Sequence, residues 1–239
     1  DLIEKAYDIF NKDGVQRVYH AGDMCSGDSV YRGQQYETLY PGFQAQKKAV
    51  IDNYPQLKDG KTFFILGNHD YSFIKKSNSN LGLDIPDKRK DLNYVGEIVA
   101  DVQISGSDPL DDATAEDNRA PGTTLRLFHP TGGLAYALSY KPQRYVDNLP
   151  SDGRKPNILV IGHYHTRCSF DRRNIKVYQV PCFEEESPYL IEKGLQPTIG
   201  FSWLDIQLSR EGSIVGMMVK EYTYYAGVGF TSGFGPEED

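Results

Sequence analysis

The sequence predicts a mixed α/β fold of the α+β kind, two packed sheets flanked by helices. Three observations carry this reading. Apolar runs of strand type occur in both halves of the chain, stretches with helical spacing fall mainly in the first half, and the regular strand–helix alternation of a doubly wound sheet is missing. With 239 residues, 39% of them hydrophobic, and no linker-like boundary, residues 1–239 are expected to form a single domain around one large core.

The elements follow in order. Leu2, Ile3, Ala6, Ile9 and Phe10 recur at helical spacing, and Asp13-Gly14 closes that helix before a strand around Val15, Val18 and Tyr19. The strand ends in His20-Ala21-Gly22-Asp23. After a polar loop through Arg32-Gly33, a helix is predicted from Tyr36 to Tyr54, interrupted at Pro41-Gly42. Thr62 to Leu66 reads as a buried strand leading into Gly67-Asn68-His69-Asp70, with a helix beginning near Tyr71. From Lys75 to Arg119 the pattern is irregular and surface loops are expected, apart from a strand-like run from Val95 to Ile104; Asp108 to Asp117 is an acidic loop. Strands are predicted at Thr123 to Phe128 and Asn157 to Ile161, with a helix from Gly133 to Leu149 between them. The remainder reads as β: Ile175 to Val180, Ile199 to Leu208 and Ile214 to Val219, with Arg210-Glu211-Gly212 as a turn and a Gly-rich, acidic tail from Gly227 to Asp239 expected to be disordered.

Composition excludes several classes. No apolar run approaches the roughly 20 residues of a membrane-spanning helix, and the net charge of -7 does not suit a protein that coats nucleic acid. The basic groups Lys75-Lys76, Lys88-Arg89-Lys90, Arg144 and Arg172-Arg173 keep nucleic acid open as a local partner. Cys25, Cys168 and Cys182 have no CxxC spacing and suit neither a disulfide framework nor a zinc knot, so a reducing, cytoplasmic setting is expected.

The chemistry-bearing residues cluster at strand ends: Asp23 after one strand, Asn68 and His69 after the next, then His129, then His163 and His165. Strand ends hold polar side chains rigidly in a shared site. One carboxylate, one amide oxygen and several imidazoles, without sulfur, form a donor set for manganese, iron, zinc, cobalt or nickel rather than calcium or magnesium. Two such ions sharing a carboxylate, for which Asp23 is the candidate, bind phosphate oxygens and generate hydroxide near neutral pH. His20 lies on a strand, pointing away from Asp23, and is assigned a structural role. Tyr71, Phe73, Tyr164 and Phe170 lie near the motifs and are candidates to roof the pocket or stack on a base.

The order Gly-Asp, Gly-Asn-His-Asp, His, Gly-His-x-His, spanning Gly22 to His165, resembles the signature of calcineurin-like metallophosphoesterases. The resemblance implies a four-layer αββα sandwich and two divalent transition-metal ions, manganese foremost. It implies that Asp23 bridges the ions, that Asn68, His129 and His163 complete one, and that His165 binds the other. His69 would be general acid or transition-state donor, with Asp70 orienting its ring, and Gly22, Gly67 and Gly162 would permit tight turns. The family opens with Asp-x-His on a strand before the first helix. No such motif precedes Asp23, where His20 follows Val18 by two positions, so that strand is expected upstream of Asp1. The protein phosphatase branch carries Asp-Arg-Gly after its Gly-Asp and Glu after Gly-Asn-His, whereas this chain reads Gly-Asp-Met-Cys-Ser-Gly-Asp and Gly-Asn-His-Asp. It is more similar to bacterial and bacteriophage phosphoesterases and shares its motif order with repair exonucleases. The expected function is metal-dependent hydrolysis of phosphoesters, foremost phosphodiesters. A DNA exo- or endonuclease and a non-catalytic scaffold with an incomplete metal site are the alternatives.

Overall fold

A computed structural model describes residues 1–104, 122–151 and 155–232. Helix α1 (Leu2–Lys12) starts where the Asp1 carboxylate accepts the Ile3 N–H, and it buries Ala6, Tyr7 and Phe10 on one stripe. Strand β1 (Arg17–His20) follows, then a 3₁₀ turn (Gln34–Tyr36) and α2 (Phe43–Asn53). The helix predicted from Tyr36 is thus cut short at its start, because Pro41 has no N–H to give and Gly42 adopts φ 80°, outside helical space. Next come β2 (Lys61–Ile65), α3 (Asn68–Ser77), α4 (Leu81–Asp84), β3 (Leu92–Gly96) and β4 (Val99–Ile104). The region expected to be loops therefore carries structure, since Leu81, Ile85 and Leu92 are sunk fully into the core. The acidic loop from Asp108 to Asp117 lies outside the described residues.

Beyond it lie β5 (Thr123–Phe128), α5 (Tyr140–Asp147), β6 (Ile158–Ile161), β7 (Cys168–Arg172) and β8 (Ile175–Gln179). The chain continues through α6 (Pro188–Glu192), β9 (Gly200–Leu208), β10 (Ile214–Tyr225) and β11 (Gly229–Ser232). Helix α5 is shorter than the predicted 133–149 because Pro142 is tolerated only in a first turn, which fixes the start near Tyr140. Part of the tail expected to be disordered forms β11, paired with Tyr222–Tyr225 of β10; residues 233–239 lie outside the described set.

The strands form a parallel sheet β1-β2-β3, a mixed sheet β4-β5-β6-β8-β7 and an antiparallel sheet β11-β10-β9. Period-two alternation decides what each face meets. Phe64 and Leu66 pack with Val50, Phe73, Leu81 and Ile85 under the helices, while Ile65 joins Leu125, Leu127, Val160 and Tyr178 of the mixed sheet. Leu159 and Ile161 point the other way, onto Val146 of α5. The antiparallel sheet extends the first layer, with Phe201 and Tyr222 against α1 and Leu204 and Ile206 against the mixed sheet. The result is four layers, helices outside and strands inside, as the sequence implied.

Among the described residues, β1 has a ladder on one side, to β2, and β9 on one side, to β10. Between them runs a cavity of about 1570 Å³, lined by all of β1 and by residues 200–206 of β9, with Tyr7 and Phe10 on one wall and Leu125 and Val160 on the other. His20 lines it too and is held neutral by burial, its affinity for a proton lowered to about pKa 4, consistent with its structural assignment.

Leu127 is 0% exposed at the centre of the inter-sheet core. Leu127→Ala should lower the urea-unfolding free energy by about 2–5 kcal/mol, the range for a buried Leu truncation, whereas Val215→Ala, at a 68% exposed position, should stay within about 0.5 kcal/mol.

Candidate metal centre

Two pairs of parallel strands, β1 with β2 and β5 with β6, end on the same side of the molecule. Their carboxyl ends deliver Asp23, Asn68, His129 and His163 to one place. Asn68 and His69 are the first turn of α3 rather than a loop, so a helix N-terminus as well as a strand end fixes them. His129 Nε2 lies 3.0 Å from Asn68 Oδ1 and 3.1 Å from Asp23 Oδ2. The donor atoms of Asp23, His129 and His163 all fall within 4.8 Å of one another. The structure thus brings four of the five expected metal residues together.

The tautomers follow from the carbonyls. His129 Nδ1 donates to Ala21 O at 2.7 Å, and His163 Nε2 donates to Gly132 O at 3.0 Å. A carbonyl only accepts, so His129 offers Nε2 and His163 offers Nδ1 as the coordinating atom. At His129 the imidazole lone pair meets two oxygen lone pairs at hydrogen-bond distance. With the Asn68 oxygen facing the ring, a proton on Nε2 or a metal ion between the three atoms satisfies the cluster. Burial works against a charged His129, yet the hydrogen bond and charge of Asp23 outweigh it and its proton affinity is raised. Burial lowers His163 to about 4, reinforced by His129, and so keeps it neutral and available. The donor set, nitrogen and oxygen without sulfur, fits a divalent transition metal.

Backbone strain marks the same residues. Asp23 (φ 58°), His163 (φ 76°) and His165 (φ 54°) all adopt left-handed conformations that side chains other than glycine rarely take. Gly22 shares this region at φ 94°. The other two motif glycines are needed for space rather than for turn angles: a Cβ at Gly67 would sit 2.0 Å from Asp23 Oδ1, and one at Gly162 would sit 2.3 Å from Ala21 O.

Asp70 does not orient the His69 ring. Its carboxylate accepts the backbone N–H groups of Met24, Cys25 and Gly67 at 2.9–3.1 Å, clamping the Asp23 loop to the start of α3. The ring is oriented by Ser26, whose carbonyl accepts the His69 Nδ1–H at 2.7 Å. His69 Nε2 is thereby left as the atom facing a ligand. His165 stands apart from the tight cluster, with its Nδ1 3.4 Å from Glu184 Oε2. Burial lowers its proton affinity, against the pull of Glu184 and Asp23. Sequence reasoning missed Ser26, which acts through its carbonyl and so has no side-chain signature, and Glu184, which lies in an acidic run resembling a solvated surface.

This fold and donor set define a metal-binding protein of the phosphoesterase class. The family model for calcineurin-like phosphoesterases matches residues 1–190, and the chain belongs to that family, whose members use divalent metal ions in phosphoester hydrolysis. Similar solved structures include an archaeal phosphodiesterase (16% identity, TM-score 0.43, covering 91% of this chain and 90% of that one). A single mutant of Vps29 from Entamoeba histolytica is another (13% identity, TM-score 0.42, 91% and 96% covered), and wild-type Vps29 of that organism with zinc is a third (12% identity, TM-score 0.39, 90% and 95% covered). No curated protein matches the chain.

Two outcomes test the site. Gly67→Ala should displace the Asp23 carboxylate and weaken Mn²⁺ binding at least tenfold in calorimetry while the far-UV circular dichroism is kept. Because a metal on His129 Nε2 competes with a proton for the same lone pair, and the contact with Asp23 raises that proton affinity, Mn²⁺ binding should weaken as pH falls from 7 to 5, which calorimetric titrations across that range would show.

Proposed function

We propose that this protein hydrolyses phosphodiesters, with the ligand cluster Asp23, Asn68, His129 and His163 as its metal centre and His69 as the proton donor to the departing oxygen. The observation that carries this reading is the meeting of His129 Nε2 with Asn68 Oδ1 and Asp23 Oδ2 at 3.0–3.1 Å beside the first turn of α3. When bound, the metal neutralises phosphate charge and acidifies water. Everything else falls to the chain. Asp23 Oδ1 accepts the His69 backbone N–H at 2.8 Å, which fixes His69 relative to the ligands, and the Ser26 carbonyl holds Nδ1–H, so that His69 in its imidazolium form gives the Nε2 proton to the departing oxygen and is left as the neutral Nδ1–H tautomer.

Manganese is the preferred ion of this reading, with iron, zinc, cobalt or nickel as substitutes of the same donor preference. A second ion rests on Asp23 and His165. Two donors hold an ion less firmly than four, so on this reading one ion per chain is tightly bound. Plasma mass spectrometry of manganese-dialysed protein should return about one ion per chain, and two would sink the argument.

The small-diester reading is favoured over the nuclease because four of the eight basic residues singled out in the sequence are engaged by neighbouring groups. Arg172 pairs with Asp147 at 2.6 Å, Arg89 with Asp91 at 2.6 Å and Lys76 with Asp28 at 3.2 Å, while Arg173 donates to the carbonyls at the end of α5. A phosphate-tracking groove needs cations free to face a polyanion. The test is turnover of bis(p-nitrophenyl) phosphate with added Mn²⁺. His163→Ala and Asn68→Ala should abolish it, and His69→Ala should lower kcat by about 10²–10⁴, the range for general acid catalysis. Unchanged turnover in the folded His163→Ala protein would remove the site assignment.

A further inference from the structure

Of the aromatic residues that the sequence places near the motifs, Phe73, Tyr164 and Phe170 pack into cores, Tyr164 with its ring 5.3 Å from that of His163. Phe73 and Tyr164 are 2% and 8% exposed within separate cores, and Phe170 packs against the core that holds Tyr164. The aromatic beside His69 is Tyr31, its ring centroid 6.4 Å from the imidazole at an interplanar angle of 58°. Tyr31 lines the same cavity as Asp23, His69, His163 and His165. Behind it, outside that lining, Tyr189 of α6 stacks on it at 4.5 Å and 25°.

Tyr31 sits in a loop, half-buried, and is held there by a hydrogen bond, a stacked ring and the bracing of its loop. Its hydroxyl donates to the Glu37 carboxylate at 2.8 Å. The loop that carries it is cross-braced by two buried glutamines. The Gln46 amide accepts the Gly27 N–H and donates to the Gly27 carbonyl, both at 2.9 Å. Gln34 accepts the Val30 N–H at 2.7 Å and donates to the Ser26 carbonyl. That same Ser26 carbonyl takes the His69 Nδ1–H. One brace therefore sets the proton donor and the aromatic ring together, and buried glutamines at 2% and 4% exposure are an uncommon means of fixing a surface loop.

We propose that Tyr31, backed by Tyr189, is a specificity-determining wall for the group on the ester oxygen nearest His69, and that this group is a planar aromatic ring rather than an alkyl chain. The inference rests on the phosphoesterase reading and deepens it. A rigid, pre-stacked tyrosine offers a π-face without further loss of rotamer freedom on binding, which is what makes stacking on aromatic walls effective. Tyr31 touches the variable part of the substrate and takes no part in proton transfer.

The test is direct binding of two non-hydrolysable anions, phenylphosphonate and methylphosphonate, to the Mn²⁺-loaded full chain by calorimetry. The wild type should bind phenylphosphonate about 5- to 100-fold more tightly, the span of aromatic stacking energies. Tyr31→Ala should bring that ratio close to one and leave methylphosphonate affinity within about twofold, Tyr31→Phe should retain the ratio, and Tyr189→Ala should reduce it. A wild-type ratio near one, or a ratio that survives Tyr31→Ala, overturns the wall while methylphosphonate binding upholds the anion site. Failure of methylphosphonate to bind overturns the phosphoesterase reading and the wall together. Adenosine monophosphate separates the two sources of an aromatic ring: tighter binding than phenylphosphonate assigns a nucleobase, and weaker binding a simple aryl group.

Discussion

The Asp23 carboxylate is the constraint on which the rest of the site depends. One oxygen accepts the His69 N–H at 2.8 Å and the other faces His129 Nε2 at 3.1 Å. A single side chain thus ties the end of β1 to the first turn of α3 and to the end of β5, elements from different sheets. To reach both partners Asp23 must take a left-handed backbone conformation, and to let its carboxylate in, Gly67 must have no Cβ. The strain is local and is sustained by the cores beneath, where Ile65 and Leu127 are fully buried on the two facing sheets. Without that rigid base a strained aspartate would relax.

Asp70 complements it from behind. Its oxygens gather three backbone N–H groups, two from the residues after Asp23 and one from Gly67, so the loop that presents Asp23 is anchored to the helix that presents His69. Burial and the nearby Asp23 push the Asp70 carboxyl above its usual range. Asp23 is drawn below its own, because its hydrogen bond and charge contact with His129 overcome burial. Two neighbouring carboxylates are thereby given different tasks by their surroundings, one structural and one facing the ligand.

Much of this was legible in the sequence, for reasons that can be stated residue by residue. The strands β2, β5 and β6 are short apolar runs with obvious ends, so the residues that follow them, Asn68, His129 and His163, could be placed before any coordinates. Two packed sheets flanked by helices followed from the order of elements, and the four-layer arrangement from the family resemblance that the motifs carry. What could not be read were features without local periodicity. β7 is a polar edge strand, and α4 with β3 is anchored by Leu81, Ile85 and Leu92, scattered through a polar tract. The role of Asp70 was misjudged because sequence adjacency to His69 suggested a contact that helix geometry forbids: neighbours in a first turn point in different directions, and Asp70 turns inward to complete backbone donors. Ser26, Gln34 and Gln46 act on or through main-chain groups, which no motif encodes.

The electrostatics also link the site to the stability of the fold. The buried end of the molecule carries Asp23 and Asp70 close together, with His129 as the cation that balances them when protonated. A divalent ion in the same place supplies more positive charge than that proton and is held by more donor atoms, so binding energy becomes folding energy. Asp23 and His163 hold left-handed conformations whose cost the packed cores beneath them sustain. The architecture is therefore one in which the cores complete the scaffold, while at its rim Asp23, Asn68, His129 and His163 hold oxygen and nitrogen donors close together, an arrangement that a positive charge between them stabilises.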